Sequence, residues 1–113
     1  MRVGGYAGRI LRIDLSDDRI WTEPTPREWI DEYIGGDGFA ARYLYEHVGP
    51  STDPLGVDNC LILATGPVTG TLWPTSGRSV FVSKSPLTGI WAESHVGGFL
   101  GPELKYAGYD MLV

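Results

Sequence analysis

The chain has a single cysteine, no long apolar run and no surplus of positive charge. Each shortage removes a class of function. One thiol builds neither a disulfide framework nor a four-thiolate cluster, and Cys60, set in an apolar run, reads as a small hydrophobe. No stretch of about 18 apolar residues occurs, so no membrane-spanning helix is expected. Nine Lys and Arg stand against fourteen Asp and Glu, a net charge of −5. That balance argues against a general nucleic-acid binder, which needs a basic face for phosphate. The first residues lack the charged-then-apolar layout of a signal peptide, so the expected compartment is the cytoplasm.

What the chain does have is glycine. Sixteen glycines and eight prolines among 113 residues promise frequent turns and unusual backbone. The length suits one domain or a piece of one. No internal repeat or low-complexity segment stands out.

Taken in order, Gly4 to Gly8 forms a flexible start. Arg9–Leu15 alternates with period two, Leu11, Ile13 and Leu15 on one face and Arg12 and Asp14 on the other, so it reads as a strand. Ser16-Asp17-Asp18 turns the chain into a second strand, Arg19–Thr22, predicting a hairpin. Thr25-Pro26-Arg27-Glu28 reads as a helix start, with Thr25 as cap, Pro26 at the first helical position and Glu28 completing a capping box. Trp29, Ile30, Tyr33 and Ile34 follow at helical spacing. Gly35 to Gly38 breaks that helix, and a second runs from Phe39 to Val48 before Gly49-Pro50.

Asn59–Thr65 is apolar throughout and predicts a central strand covered on both faces. A turn-rich loop follows from Gly66. Arg78–Lys84 predicts a strand with Val80 and Val82 on one face and Phe81 on the other. Ile90–Ser94 predicts another. Gly101-Pro102-Glu103 begins a short helix closed by Gly108, and Tyr109–Val113 reads as a last strand. It ends on Met111-Leu112-Val113 without cap or polar tail, as expected of a fragment. It reads as an exposed strand whose unpaired backbone groups invite edge pairing, so a homo-oligomer is predicted. The fold expected is α+β: a mainly β platform, two consecutive helices and one short C-terminal helix.

The stretch Pro74–Gly101 holds the chemistry. Glycines bracket a short apolar run, with Arg78, Lys84, Glu93 and His95 in or beside it. Glycine next to a fixed positive charge suits a surface that backbone must share with a bulky anion. The plainer reading is two strands whose glycines only serve turns. His95 alone reads as a structural histidine with no partner at metal-ligand spacing. Glu93 and Glu103 are not placed together by the sequence and read as structural. Lys84 and Lys105 read as solvated or helix-end charges, and the four tryptophans as core or interface packing.

Several motifs fall in one order: Ala64-Thr-Gly-Pro-Val-Thr-Gly-Thr71, Ser76-Gly-Arg78, Lys84-Ser-Pro-Leu-Thr-Gly89 and Gly97-Gly-Phe-Leu-Gly-Pro-Glu-Leu-Lys-Tyr-Ala-Gly-Tyr-Asp110. Together with Gly8-Arg9, Tyr33–Gly38 and Asp53-Pro-Leu55, they resemble the N-terminal domain of the tungsten-containing aldehyde:ferredoxin oxidoreductases. The resemblance covers nearly the whole chain. It implies that residues 1–113 are the first part of a tungstopterin-platform domain. The parent would carry tungsten held by two pterins of molybdopterin type and a 4Fe-4S cluster. It would oxidise aldehydes to carboxylic acids and pass electrons to ferredoxin. The resemblance implies cofactor contacts at Arg78, His95, Val96, Gly97 and Gly98, with no catalytic residue and no metal or cluster ligand in this chain. Histidine at position 95 departs from the family's usual asparagine. The fragment alone is expected to be inactive. Two alternatives stand beside this reading. One is the active-site subunit of an aromatic-ring (aryl-CoA) reductase in the same family. The other is a non-catalytic binding module.

Overall fold

A computed structural model describes residues 3–113. Its elements run β1 (Arg9–Asp14), β2 (Arg19–Pro24), α1 (Arg27–Tyr33), α2 (Asp37–His47), β3 (Ile62–Thr65), β4 (Ser79–Lys84), β5 (Trp91–Val96), α3 (Leu100–Tyr106) and β6 (Met111–Leu112). The strands make one mixed sheet in the order β2-β1-β6-β3-β4-β5. All neighbours are antiparallel except β1 and β6. This is the α+β platform with two consecutive helices and a short third that the sequence predicts. No helix among the described residues is long and apolar enough to cross a membrane.

Register divides the sheet into two faces. Ile10, Met111, Ala64 and Val80 line up across four strands, joined by Ile62 and Val82. They pack against Trp29, Phe39, Ala40, Tyr43 and Leu44 of α1 and α2, forming the core. The first strand alternates as its sequence does, but the Leu11–Ile13 side faces away from this core, and the single residue Ile10 enters it. Leu11, Leu112, Leu63 and Phe81 form a second apolar row on the opposite face. All four residues of β3 are buried, as a central strand requires. The start of α3 lies on this second face, since a Cβ on Gly101 would sit 2.9 Å from that of Ser79.

Several local expectations need correction. Pro26 is itself the N-cap of α1, which carries no side-chain cap. Thr25 lies one residue too early to cap, and its hydroxyl instead donates to Asp110 Oδ2 at 2.8 Å. The second helix starts at Asp37, inside the glycine run. The N-terminal segment is tied down rather than loose: the Ala7 and Gly8 amides donate to the two Asp110 carboxylate oxygens at 2.7 and 2.8 Å. Lys84 is buried, and its Nζ donates to the carbonyls of Gly49, Pro50 and Thr52. Lys105 is a helix-end charge, in the last turn of α3, but it is not merely solvated, because it donates to Gly5 O and pairs with Asp110. Of the tryptophans, Trp29 joins the core while Trp73 is exposed.

The last strand is not an edge. β6 lies between β1 and β3, and the Ile13 and Val113 amides continue its pairing with β1. The edges are β2 and β5, so the argument from a free last strand to a homo-oligomer falls.

Candidate functional site

The strand directions gather one end of the sheet. The starts of β1, β4 and β6 meet the ends of β3 and β5 there. The Gly36 amide donates to Thr65 O at 2.9 Å, which brings the start of α2 to the same end. The sequence-predicted residues Arg78, His95, Val96, Gly97 and Gly98 all fall at it.

Backbone contact holds Arg78 beside the glycine pair. Ser79 pairs with Val96, so Arg78 and Gly97 continue from adjoining strand ends. A Cβ on Gly77 would lie 2.5 Å from Gly98 O, so only glycine lets these two segments approach. The loop before Arg78 is closed by its own bonds. Gly70 N donates to Ser76 O at 2.9 Å, and Thr69 Oγ1 receives the Gly66 amide and donates to Arg78 O. From α3, Tyr106 donates to Gly70 O at 2.8 Å. The loop is therefore anchored on two sides.

What this end offers is an open surface with a free cation. Gly97 and Gly98 are exposed, nothing lies within 4 Å of where their Cβ atoms would be, and Gly98 takes φ +81. Arg78 is exposed, and its guanidinium has no hydrogen-bond or ionic partner among the described residues. Ser79 Oγ, directly after it, is buried without a partner. Open backbone and a planar fork of donors fit a flat, polar, anionic ligand.

His95 sits differently from the glycines. Its register partner is Val80, so its ring lies on the α2 side of the sheet. There Nε2 is 3.7 Å from both Asp37 Oδ2 and Glu93 Oε1. The sequence gives His95 no partner at ligand spacing, and the fold supplies two. Glu93-Ser-His95 was a readable clue, because a strand puts its alternate residues on one face. Asp37 carried no such signal. Glu103 stays apart from this group, consistent with a structural role.

A cleft of about 610 Å³ opens at the opposite end of the sheet, lined by Arg12, Tyr43, His47, Cys60 and Leu112 among others. None of the predicted site residues lines it. Burial pushes the Cys60 thiol up, against the pull of Arg12, so the thiol stays protonated rather than poised as a nucleophile. Burial likewise pushes Tyr43 up to about 12.

Comparison with known proteins places this geometry in context. The family described as "Aldehyde ferredoxin oxidoreductase, N-terminal domain" matches residues 10–113. A tungsten-containing aldehyde ferredoxin oxidoreductase of Pyrococcus horikoshii is 45% identical over 109 residues, 96% of this chain and 18% of the relative. An aliphatic sulfonate oxidoreductase, WOR-like subunit, of Pyrococcus furiosus is 34% identical over 111 residues, again 96% and 18%. Among solved structures, the active site complex BamBC of benzoyl coenzyme A reductase with 1,5-dienoyl-CoA superposes with TM-score 0.93 at 37% identity. That match covers 96% of this chain and 16% of the other. The chain thus spans 18% of the length of these curated relatives.

Proposed function

Because the chain belongs to the aldehyde ferredoxin oxidoreductase family, we propose that it is the first part of that family's N-terminal domain and forms half of a platform for a tungsten-bearing pterin cofactor. The whole protein would oxidise aldehydes to carboxylic acids, with ferredoxin taking the electrons. The observation that supports this most directly is the backbone contact of Gly77 with Gly98, which sets the free Arg78 beside an uncovered glycine surface.

Each residue then has a defined task. Arg78 would offer paired N–H donors to a pterin phosphate or ring oxygen, a geometry lysine does not match. Val96, Gly97 and Gly98 would present main chain to the flat ring, with no side chain to hold it off. His95 has Nε2 turned toward two carboxylates, which leaves Nδ1, unpartnered among the described residues, for a cofactor contact. When bound, the metal–pterin group supplies the redox chemistry, while these residues bind and orient it. Cys60 alone provides no cluster, so a 4Fe-4S centre would draw its thiolates from outside this chain.

The reading is tested in the full-length protein, expressed anaerobically with tungstate. Arg78→Ala is expected to lower bound tungsten and pterin per protein, measured by elemental analysis and pterin fluorescence. Unchanged stoichiometry would overturn the assignment of Arg78. The isolated 113-residue chain is expected to give no viologen reduction with aldehyde, and sustained turnover from it would contradict the division of labour.

The likeness to BamBC favours a second reading, the active-site subunit of an aromatic-ring reductase acting on a coenzyme A thioester. Oxidation of a dienoyl-CoA by the full-length protein, without aldehyde turnover, would select it.

A further inference from the structure

Glu93 and His95 alternate along β5 on the face that α2 covers, and Asp37 opens α2 beside them. The ligand-type atoms Asp37 Oδ2, Glu93 Oε1 and His95 Nε2 all lie within 4.8 Å of one another. Donors about 2.0–2.2 Å from one ion are themselves roughly 3–4 Å apart. The two 3.7 Å separations already fall in that range. We propose that Asp37, Glu93 and His95 form a binding site for a divalent first-row transition ion, which uses His95 Nε2 and shares only that residue with the proposed pterin contacts.

Charge is the first reason. No lysine or arginine among the described residues pairs with Asp37 or Glu93, so one imidazole faces two carboxylates. Like charges held this close favour a bound cation.

Donor chemistry is the second reason. One nitrogen with two oxygens differs from an all-carboxylate cluster. It suits Zn²⁺ or Mn²⁺ better than Mg²⁺ or Ca²⁺, which prefer oxygen alone.

Preorganisation is the third. The donors stand on a strand and a helix rather than on loops. Trp91 Nε1 donates to Glu93 Oε2 at 3.2 Å, which fixes the carboxylate and leaves Oε1 turned to His95. Such outer contacts orient metal ligands. Each side chain is a third to a half exposed, so an ion has a path in and water can fill the remaining positions.

The probes are Zn²⁺ by calorimetry and Mn²⁺ by electron paramagnetic resonance, added to the metal-free 113-residue chain. One site per chain is expected. Asp37→Asn, Glu93→Gln and His95→Asn should each weaken binding by about 10- to 100-fold. His47→Asn, at the other end of the sheet, should leave it unchanged. Melting in EDTA should be alike for all variants, since the three side chains are exposed. In the unsubstituted protein, Zn²⁺ should shift the ring resonances of His95 and leave those of His47 in place, a readout that needs no variant. Absence of binding at millimolar metal would overturn the proposal. So would binding that survives loss of both Asp37 and His95, or that moves the His47 resonances instead.

Discussion

Asp110 is fully buried and has one ionic partner among the described residues, Lys105, whose Nζ lies 3.1 Å from Oδ1. The same carboxylate accepts the Ala7 and Gly8 amides and the Thr25 hydroxyl. One side chain thereby ties the N-terminal segment, the start of α1 and the end of α3 to the candidate-site end of the sheet. Asp110→Ala would strand three donors and leave the partly buried Lys105 ammonium without its ionic partner, at a cost of about 3–5 kcal/mol. Urea unfolding of the 113-residue chain measures it. Asp110→Asn keeps one acceptor and should cost less.

Glycine positions separate stability from binding. Gly77→Ala would drive a methyl into Gly98 O and should cost about 1–3 kcal/mol. Gly97→Ala meets open space at an ordinary φ, so its melting temperature should barely change. In the full-length protein the same Gly97→Ala should lower tungsten and pterin content, because the added methyl stands where a flat ring would rest. Equal effects of both changes on stability would refute this division.

Lys84 works as a clasp. Its ammonium satisfies three carbonyls of the 49–52 turn. Lys84→Met keeps the buried stem and removes the donors, for a loss of about 1–3 kcal/mol. Hydrogen exchange should show the loss of protection concentrated at residues 49–52.

Tyr43 gives a signature at alkaline pH. Its hydroxyl is buried without a partner and its ring stacks on His47, centroids 4.0 Å apart. Burial pushes its pKa up to about 12 from 10. Below pH 10 the phenol is neutral both folded and unfolded. Between 10 and 12 the unfolded chain releases the proton first, so stability falls as pH rises. Tyr43→Phe should remove that part of the alkaline loss and cost little at pH 7, where the hydroxyl has no bond to lose. Denaturant midpoints at pH 7, 10 and 11 compare the two proteins.

Much of this architecture was readable in advance because it rests on local periodicity. The Val80–Val82 face, the hairpin at Asp17–Asp18 and the short helix stopped by Gly108 follow from spacing and turn chemistry. The errors share a different cause. Thr25 reads as a cap until Asp110, 85 positions later, claims its hydroxyl. Lys84 reads as a solvated or helix-end charge until the distant carbonyls of Gly49, Pro50 and Thr52 surround it. The last strand reads as an edge until the parallel pairing with β1 encloses it. In the candidate site, Arg78 and the glycines were legible as a motif. Asp37 was not, because only the packing of α2 on β3 and β4 brings it near Glu93 and His95.

The position of β6 also dictates the order in which this chain can mature on a ribosome. Among the described residues, the β1–β2 hairpin and the β3–β4–β5 meander are laddered to each other only through Asp110, Met111, Leu112 and Val113. Until those residues emerge from the exit tunnel, two half-sheets wait with raw edges. The joining step must then close a loop of roughly a hundred residues, which is intrinsically slow. Nascent chains stalled before Met111 should therefore depend on a chaperone, and those stalled well beyond it should not.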